Sequence, residues 1–314
     1  MKIWVGVTDG DWFSYLRALA PDEVNFWQPS GSKQFKVLQP GEPFLFKLHS
    51  PQNYIVGGGF FVRHTILPCS LAWSAFGTKN GVSDLVAFRA RIRRYRRDSE
   101  AAPDPAVGCS ILTQPFFWSE EQWIPVPSDW ARNIVQGKSY DDAEPIGRAL
   151  WQEVLARFAL DPRLREIKDE GPKYGAEYLA RARLGQGAFR VLVTDAYQKR
   201  CAISGERTLP VLQAAHIQPY SAAGPHRVSN GLLLRSDLHI LFDRGYVTVT
   251  PELRVEVSKR IREEFENGRE YYAYHGKTLA VLPRESAERP AAEFLRWHNE
   301  NCFEQGGLDA FAQP

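Results

Sequence analysis

The stretch that most restricts how this chain folds runs from Ala214 to Gly245, AAHIQPYSAAGPHRVSNGLLLRSDLHILFDRG. It holds His216, Asn230 and His239 in that order, with Asp243 one helical turn after the last. VLQAAHI is apolar and β-compatible, which puts His216 at a strand end. SAAGPHRVSNG reads as a loop from its Ser, Gly, Pro and Asn content. GLLL is a second short strand. SDLHILFD is a helix, with Ser236 as its cap and Asp237 in its first turn. Leu238, Leu241 and Phe242 turn to a core, while His239 and Asp243, four apart, share a face. Gly245 ends the helix.

Such a hairpin sets one strand histidine against a helical imidazole and carboxylate. The chemistry it suits is metal-assisted phosphodiester hydrolysis. His239 and Asp243 supply donors to a divalent ion, which polarises a phosphoryl oxygen and steadies the leaving oxyanion. Mg²⁺, Mn²⁺ and other first-row ions are all compatible with these donors. His216 takes the proton of an attacking water, since an imidazole with an ordinary pKa near ~6.5 suits a general base at neutral pH. Asn230 ties the loop to the backbone and so aims His216. Each residue alone has an ordinary structural reading; the four in order on these elements point to a nuclease. His226, in the same loop, has two readings: an ordinary loop histidine, or a residue that supports the site or touches a phosphate.

The stretch resembles the HNH (ββα-metal) nuclease family over roughly Gly185 to Ile261. That resemblance implies His216 as base, Asn230 as loop-orienting residue, and His239 and Asp243 as metal ligands. There are two departures. Ala215 stands where many members carry a further ligand, leaving two side-chain donors. Ser204 breaks the CxxC begun at Cys201, so no zinc knuckle is expected.

The chain has 314 residues and a net charge of only +2, so a basic surface for nucleic acid must be local. No apolar run is long enough to span a membrane, the first residues lack a signal-peptide core, and the four cysteines are widely spaced. A cytoplasmic protein of two domains is expected.

KIWVGVT is a first strand, followed by a helix capped by Asp9 or Asp11 with Trp12, Phe13, Leu16 and Leu19 on its apolar side. Phe26 and Trp27 open a loop. Strands follow at Phe44–Leu48 and Tyr54–Val62, then a short helix from Trp73 to Asn80. Val86 to Arg93 reads as an amphipathic strand, with Arg89, Arg91 and Arg93 on one face and Arg94, Arg96 and Arg97 after them. This row is either a contact for a phosphate backbone, the reading favoured here because no acid lies among the arginines, or a solvated face. Strands near Cys109–Leu112 and Gln122–Val126 close this half. Asp129 to Asp161 reads as mainly helical. Tyr178 to Tyr197 is a further helix, with Arg181, Arg183, Arg190, Lys199 and Arg200 as a second basic patch. After the hairpin come strands Tyr246–Val249 and Arg254–Val257, a helix Ser258–Asn267, a strand near Leu279–Pro283 and a helix Ala291–Phe303. His298 reads as a packing or surface residue.

GVTDGDWF, NFWQPSG, Gly57–Gly59 and AWSAFGTKNG make residues 1–136 resemble PUA-like domains of the EVE and YTH type. The resemblance implies a small β-barrel that flips a modified base into an aromatic pocket. Its walls would be Trp12, Trp27 and Trp73, with Asp9, Asp11, Asn25 or Ser30 reading the base edge. The expected architecture is α+β: a PUA-like barrel over 1–136, a helical linker over 137–184, and an HNH nuclease domain with a C-terminal extension over 185–314. A reader joined to a nuclease resembles the modification-dependent restriction endonucleases. The expected substrate is double-stranded DNA with 5-methyl- or 5-hydroxymethylcytosine, and cutting both strands favours a homodimer or transient pairing. The alternatives are an HNH nuclease without modification dependence and a non-catalytic nucleic-acid-binding protein.

Overall fold

The computed structural model describes residues 1–32, 34–96, 102–160, 164–165, 174–175, 178–179 and 184–304. The chain divides into two compact units, Met1–Ala188 and Phe189–Pro314.

In the first unit, β1 (Lys2–Thr8) leads into α1 (Gly10–Leu19), then β2 (Glu23–Gln28), β3 (Pro43–Leu48) and β4 (Tyr54–Pro68). Next come α2 (Cys69–Phe76), a 3₁₀ turn at Gly77–Asn80, α3 (Leu85–Tyr95) and β5 (Ala106–Phe117). β6 (Ile124–Pro125), β7 (Gly137–Asp141) and α4 (Pro145–Leu160) follow. Six strands run in the order β2-β5-β4-β3-β1-β7, with β6 joined to β4. β1 and β3 are parallel; the other pairs are antiparallel.

Alternation along the strands divides the apolar residues between two faces. Ile3, Val5, Leu45 and Ile55 pack with Leu150, Val154 and Phe158 of α4. Phe44, Phe46 and Val56 pack with Trp12, Phe13 and Leu16 of α1. Asp9 caps α1, its carboxylate accepting from the Trp12 amide. Glu23, fully buried on β2, accepts from Lys79 Nζ (3.0 Å) and from the amides of Gly187 and Ala188, each at 2.8 Å.

Several expectations are corrected. The sheet is not a barrel: among the described residues β2 pairs only with β5 and β7 only with β1, so the sheet is not closed. Val86–Arg93 is helix, not strand. Leu85, Phe88 and Ile92 recur at helical spacing with Phe88 and Ile92 buried, and Asp84 caps the start by accepting from the Ala87 amide (2.8 Å). Val86 and Ala90 complete a strand's alternation with Phe88 and Ile92, yet both are exposed on the helix. Phe26 and Trp27 lie within β2 rather than opening a loop. Leu19 is exposed at the end of α1. Gly137–Asp141 is strand where helix was expected. Pairing with β1 overrides the local pattern, and Gly137 permits it, since a Cβ there would meet Val5 O at 2.5 Å. Arg97, Arg181 and Arg183 lie outside the described residues.

In the second unit, residues from Phe189 onward of α5 (Gln186–Ala196) share a core with the hairpin of β8 (Leu212–His216) and β9 (Gly231–Arg235). α6 (Ser236–Asp243) adds Leu238 and Phe242 to it. β10 (Val247–Val249) and β11 (Val255–Val257) form a second hairpin. α7 (Arg260–Phe265), α8 (Arg269–Tyr272) and α9 (Ala292–Asn301) follow. Ser236 makes no side-chain cap; Arg235 holds the N-cap position instead. The expected strand at Leu279–Pro283 does not form: Leu279 and Val281 are buried, but the pairing nearby is a single bridge, Arg254 with Thr278. Among the described residues no helix is long and apolar enough to cross a membrane.

Candidate active site

The β8–β9 register pairs His216 with Gly231 and Ala215 with Leu232. Adjacent strand residues point to opposite faces. Ala215 therefore lies in the core while His216 stands half-buried on the other side, its ring stacked on Phe189 at 3.9 Å and 11°. Gly231 leaves room for the Phe189 ring, since a Cβ there would come within about 3 Å of it. His216 Nε2 is 2.9 Å from Nδ1 of His226, and Tyr220 stacks on His226 at 4.8 Å and 11°.

Asn230 is fully buried in the 3₁₀ turn that ends the loop. Its Oδ1 accepts from the Gln218 amide (2.9 Å), and Nδ2 donates to the carbonyls of Gln218 (2.9 Å) and Pro225 (3.0 Å). The Ile217 amide donates to the Asn230 carbonyl (2.9 Å). One side chain thus clamps the loop beside both His216 and His226.

On α6 the His239 Nδ1 hydrogen donates to Gln213 Oε1 (2.7 Å). That leaves the lone pair of Nε2 facing Asp243 Oδ2 at 3.2 Å. Two lone pairs so placed call for a proton or a cation between them. Burial pushes the Asp243 carboxyl up to about 7 and His239 down to about 4, so the pair lacks positive charge at neutral pH. An imidazole and a carboxylate in this state fit a divalent ion. Among the described residues no cluster of three or more His, Cys, Asp or Glu forms a metal cage. Any further ligands would be water or substrate oxygens. Burial, and then the neighbouring His226 and His239, push His216 down to about 4, which keeps its ring neutral and able to accept a proton.

Phe189, Gln213 and Tyr220 were not singled out from the sequence. Phe189 is far from His216 along the chain and has no periodic signal. Gln213 could have been found, because a strand beginning at Leu212 carries it beside the helix that follows. Cys201 Sγ accepts from the amides of Ser204 (3.4 Å) and Arg235 (3.3 Å). Of the second basic patch, Lys199 is exposed, while Arg190 and Arg200 are half-buried.

In the first unit the predicted pocket residues separate. Trp12 is core, edge-on to Phe26 (5.4 Å) and Phe46 (5.1 Å), and forms no cage wall. Asn25 is fully buried; its Nδ2 donates to Asn80 Oδ1 (2.9 Å), and its Oδ1 has no partner among the described residues. Ser30 is exposed and bonded to Ser32. Trp27 and Trp73 instead share Phe88, at 5.4 and 6.3 Å, and Tyr95 lies 6.3 Å from Trp27. Trp27 Nε1 donates to the Asn80 carbonyl (2.9 Å). Asp9 accepts from Tyr95 Oη (3.3 Å) and Arg91 (3.4 Å), and Arg91 also reaches exposed Asp11 (3.5 Å). Arg93 and Arg94 are exposed, with no ion pair among the described residues. Arg89 is half-buried, its Nε without a partner among the described residues.

A family model described as HNH endonuclease matches residues 201–250, which span the hairpin and α6. The chain therefore carries an HNH nuclease domain and is a metal-dependent endonuclease, with a divalent metal ion as its cofactor. No curated protein matches the chain. Among solved structures, the modification-dependent TagI restriction endonuclease aligns with 92% of this chain and 78% of its own, at 15% identity and a TM-score of 0.28. One point mutant of ZmASCH from Zymomonas mobilis aligns with 50% of this chain and 95% of its own, at 8% identity and a TM-score of 0.31. A second point mutant of the same protein aligns with 37% and 73%, at 12% identity and a TM-score of 0.27. All three are distant likenesses.

Proposed function

We propose that this endonuclease cuts double-stranded DNA containing 5-methyl- or 5-hydroxymethylcytosine, with the first unit selecting the base and the HNH domain cutting the backbone. The observation that carries the selective half is the aromatic cluster of Trp27, Phe88, Trp73 and Tyr95. It stands beside Asp9 and next to the exposed Arg93 and Arg94 of α3. Stacking on such rings offsets the few kcal/mol needed to unstack a base, and a carboxylate can accept from the exocyclic amine of cytosine.

In the nuclease half His216 is the general base. It takes a proton from water as the water oxygen bonds to phosphorus. The bond from phosphorus to the leaving sugar oxygen breaks, and that oxygen keeps the electron pair. His239 and Asp243 would hold the divalent ion, which when bound would supply Lewis-acid chemistry toward the phosphate. Asn230 fixes the loop so that His216 holds its line to the water. The homodimer expected for double-strand cutting is part of the same proposal.

The test is cleavage of matched duplexes carrying cytosine, 5-methylcytosine or 5-hydroxymethylcytosine, with Mg²⁺ or Mn²⁺ present or chelated. Metal-dependent cutting of modified duplexes alone, abolished in His216→Ala, is the expected result. Equal cutting of all three would remove the modification dependence and keep the nuclease.

A further inference from the structure

We infer that His226 is a positioning residue for the cleavage reaction: its Nδ1 accepts the Nε2 hydrogen of His216 and so fixes which nitrogen of His216 acts as base. The inference rests on the proposed role of His216. It starts from the 2.9 Å contact between His216 Nε2 and His226 Nδ1. One hydrogen sits between these atoms, and it has two homes. If His226 donates it, neutral His216 must carry its own hydrogen on Nδ1, and both its nitrogens are spent. If His216 donates it, Nδ1 of His216 keeps a free lone pair. Only the second arrangement leaves a base. His216 Nδ1 has no hydrogen-bond partner among the described residues, as this assignment requires.

The surroundings hold the pair in this geometry. Phe189 lies flat under His216, and Tyr220 lies flat on His226. Asn230 grips the carbonyl of Pro225, immediately before His226, and both backbone groups of Gln218, two residues after His216. When water gives its proton to His216 Nδ1, the ring becomes an imidazolium whose Nε2 hydrogen already points at an acceptor. The hydrogen bond then strengthens as the charge develops, which lowers the barrier rather than merely tightening binding. No proton leaves the pair in this step; it moves from water to His216 and remains there.

The experiment has two readouts on the full chain. The first is single-turnover cleavage with Mn²⁺ by the wild type and by His216→Ala, His226→Phe and His226→Asn, each checked for folding by thermal melting. Phenylalanine keeps a ring for Tyr220 but removes the acceptor; asparagine places an oxygen close to where Nδ1 was. His226→Phe is expected to lower the saturating rate by about tenfold to a hundredfold with little change in half-saturating DNA, and His226→Asn to recover most of it. The second readout is the ¹⁵N imidazole spectrum of the wild type, in which His216 is expected as the Nε2–H tautomer. Wild-type cleavage by His226→Phe while His216→Ala is dead would overturn the inference and leave His216 as base. Full activity in His216→Ala would remove the base assignment and the inference with it. A wild-type spectrum showing His216 protonated on Nδ1 would also overturn the inference, even if His226→Phe failed to fold.

Discussion

His298 shows how one buried ring connects the site's support to pH. It stacks on Phe242 at 3.7 Å, its Nε2 hydrogen donates to the Phe242 carbonyl (3.1 Å), and its Nδ1 accepts from Thr248 (2.8 Å). Both nitrogens are satisfied only in the neutral form, and burial pushes the pKa down to about 4. An unfolded histidine titrates near ~6.5, so between these values the unfolded chain binds the extra proton and stability falls as pH falls. For a shift of this size the loss is about 3 kcal/mol. Metal-free protein is expected to lose stability steadily from about pH 6.5 toward pH 4. In His298→Gln the slope of stability against pH, from denaturant melts between about pH 5 and pH 6, should shrink by about one proton. An unchanged slope would mean that His298 titrates normally in the fold. The sequence marked His298 as a packing or surface residue, and the fold makes it packing. What no spacing announced was the pair of polar partners, which come from β10 and from the end of α6.

At the level of elements, local pattern was legible wherever short β-forming runs or a helical spacing stood between turn residues. β1, β3 and the β8–β9 hairpin follow from apolar runs, buried throughout in β3, and α6 from the spacing of Leu238 and Phe242. α3 did not, because Val86 and Ala90, exposed on the helix, complete a strand's alternation with buried Phe88 and Ile92. The difference matters for the arginines. On a strand, Arg89, Arg91 and Arg93 would make one row. On the helix they scatter: Arg91 turns to Asp9 and Asp11, Arg89 is half-buried, and Arg93 and Arg94 remain exposed. Replacing Arg93 and Arg94 together by alanine is expected to weaken binding of modified and plain duplexes alike. It should lower the slope of log affinity against log salt by about two, one for each phosphate no longer neutralised. Weakening confined to the modified duplex would mean that these residues read the base.

At the level of the whole molecule, the proposed function assigns base selection to one unit and cutting to the other, and that assignment can be tested from either side. Trp27→Ala should lower cutting of modified duplexes to the level seen on plain DNA, read on matched substrates. A preference that survives would place the selecting surface elsewhere. The barrel expected for the first unit failed for a reason no single strand displays: closure depends on whether the two outermost strands meet, and among the described residues β2 and β7 each have one strand partner. The HNH hairpin was legible because its parts are near in sequence, whereas the ring beneath its strand histidine comes from α5. That last fact bears on portability. Phe189 and α9 both fall outside residues 201–250, so the stretch that carries the family's signature is smaller than the working part. A fragment trimmed to it, or grafted onto another DNA-binding protein, would arrive with its histidine unsupported. A transferable cutting module from this chain has to begin before Phe189 and run on through α9.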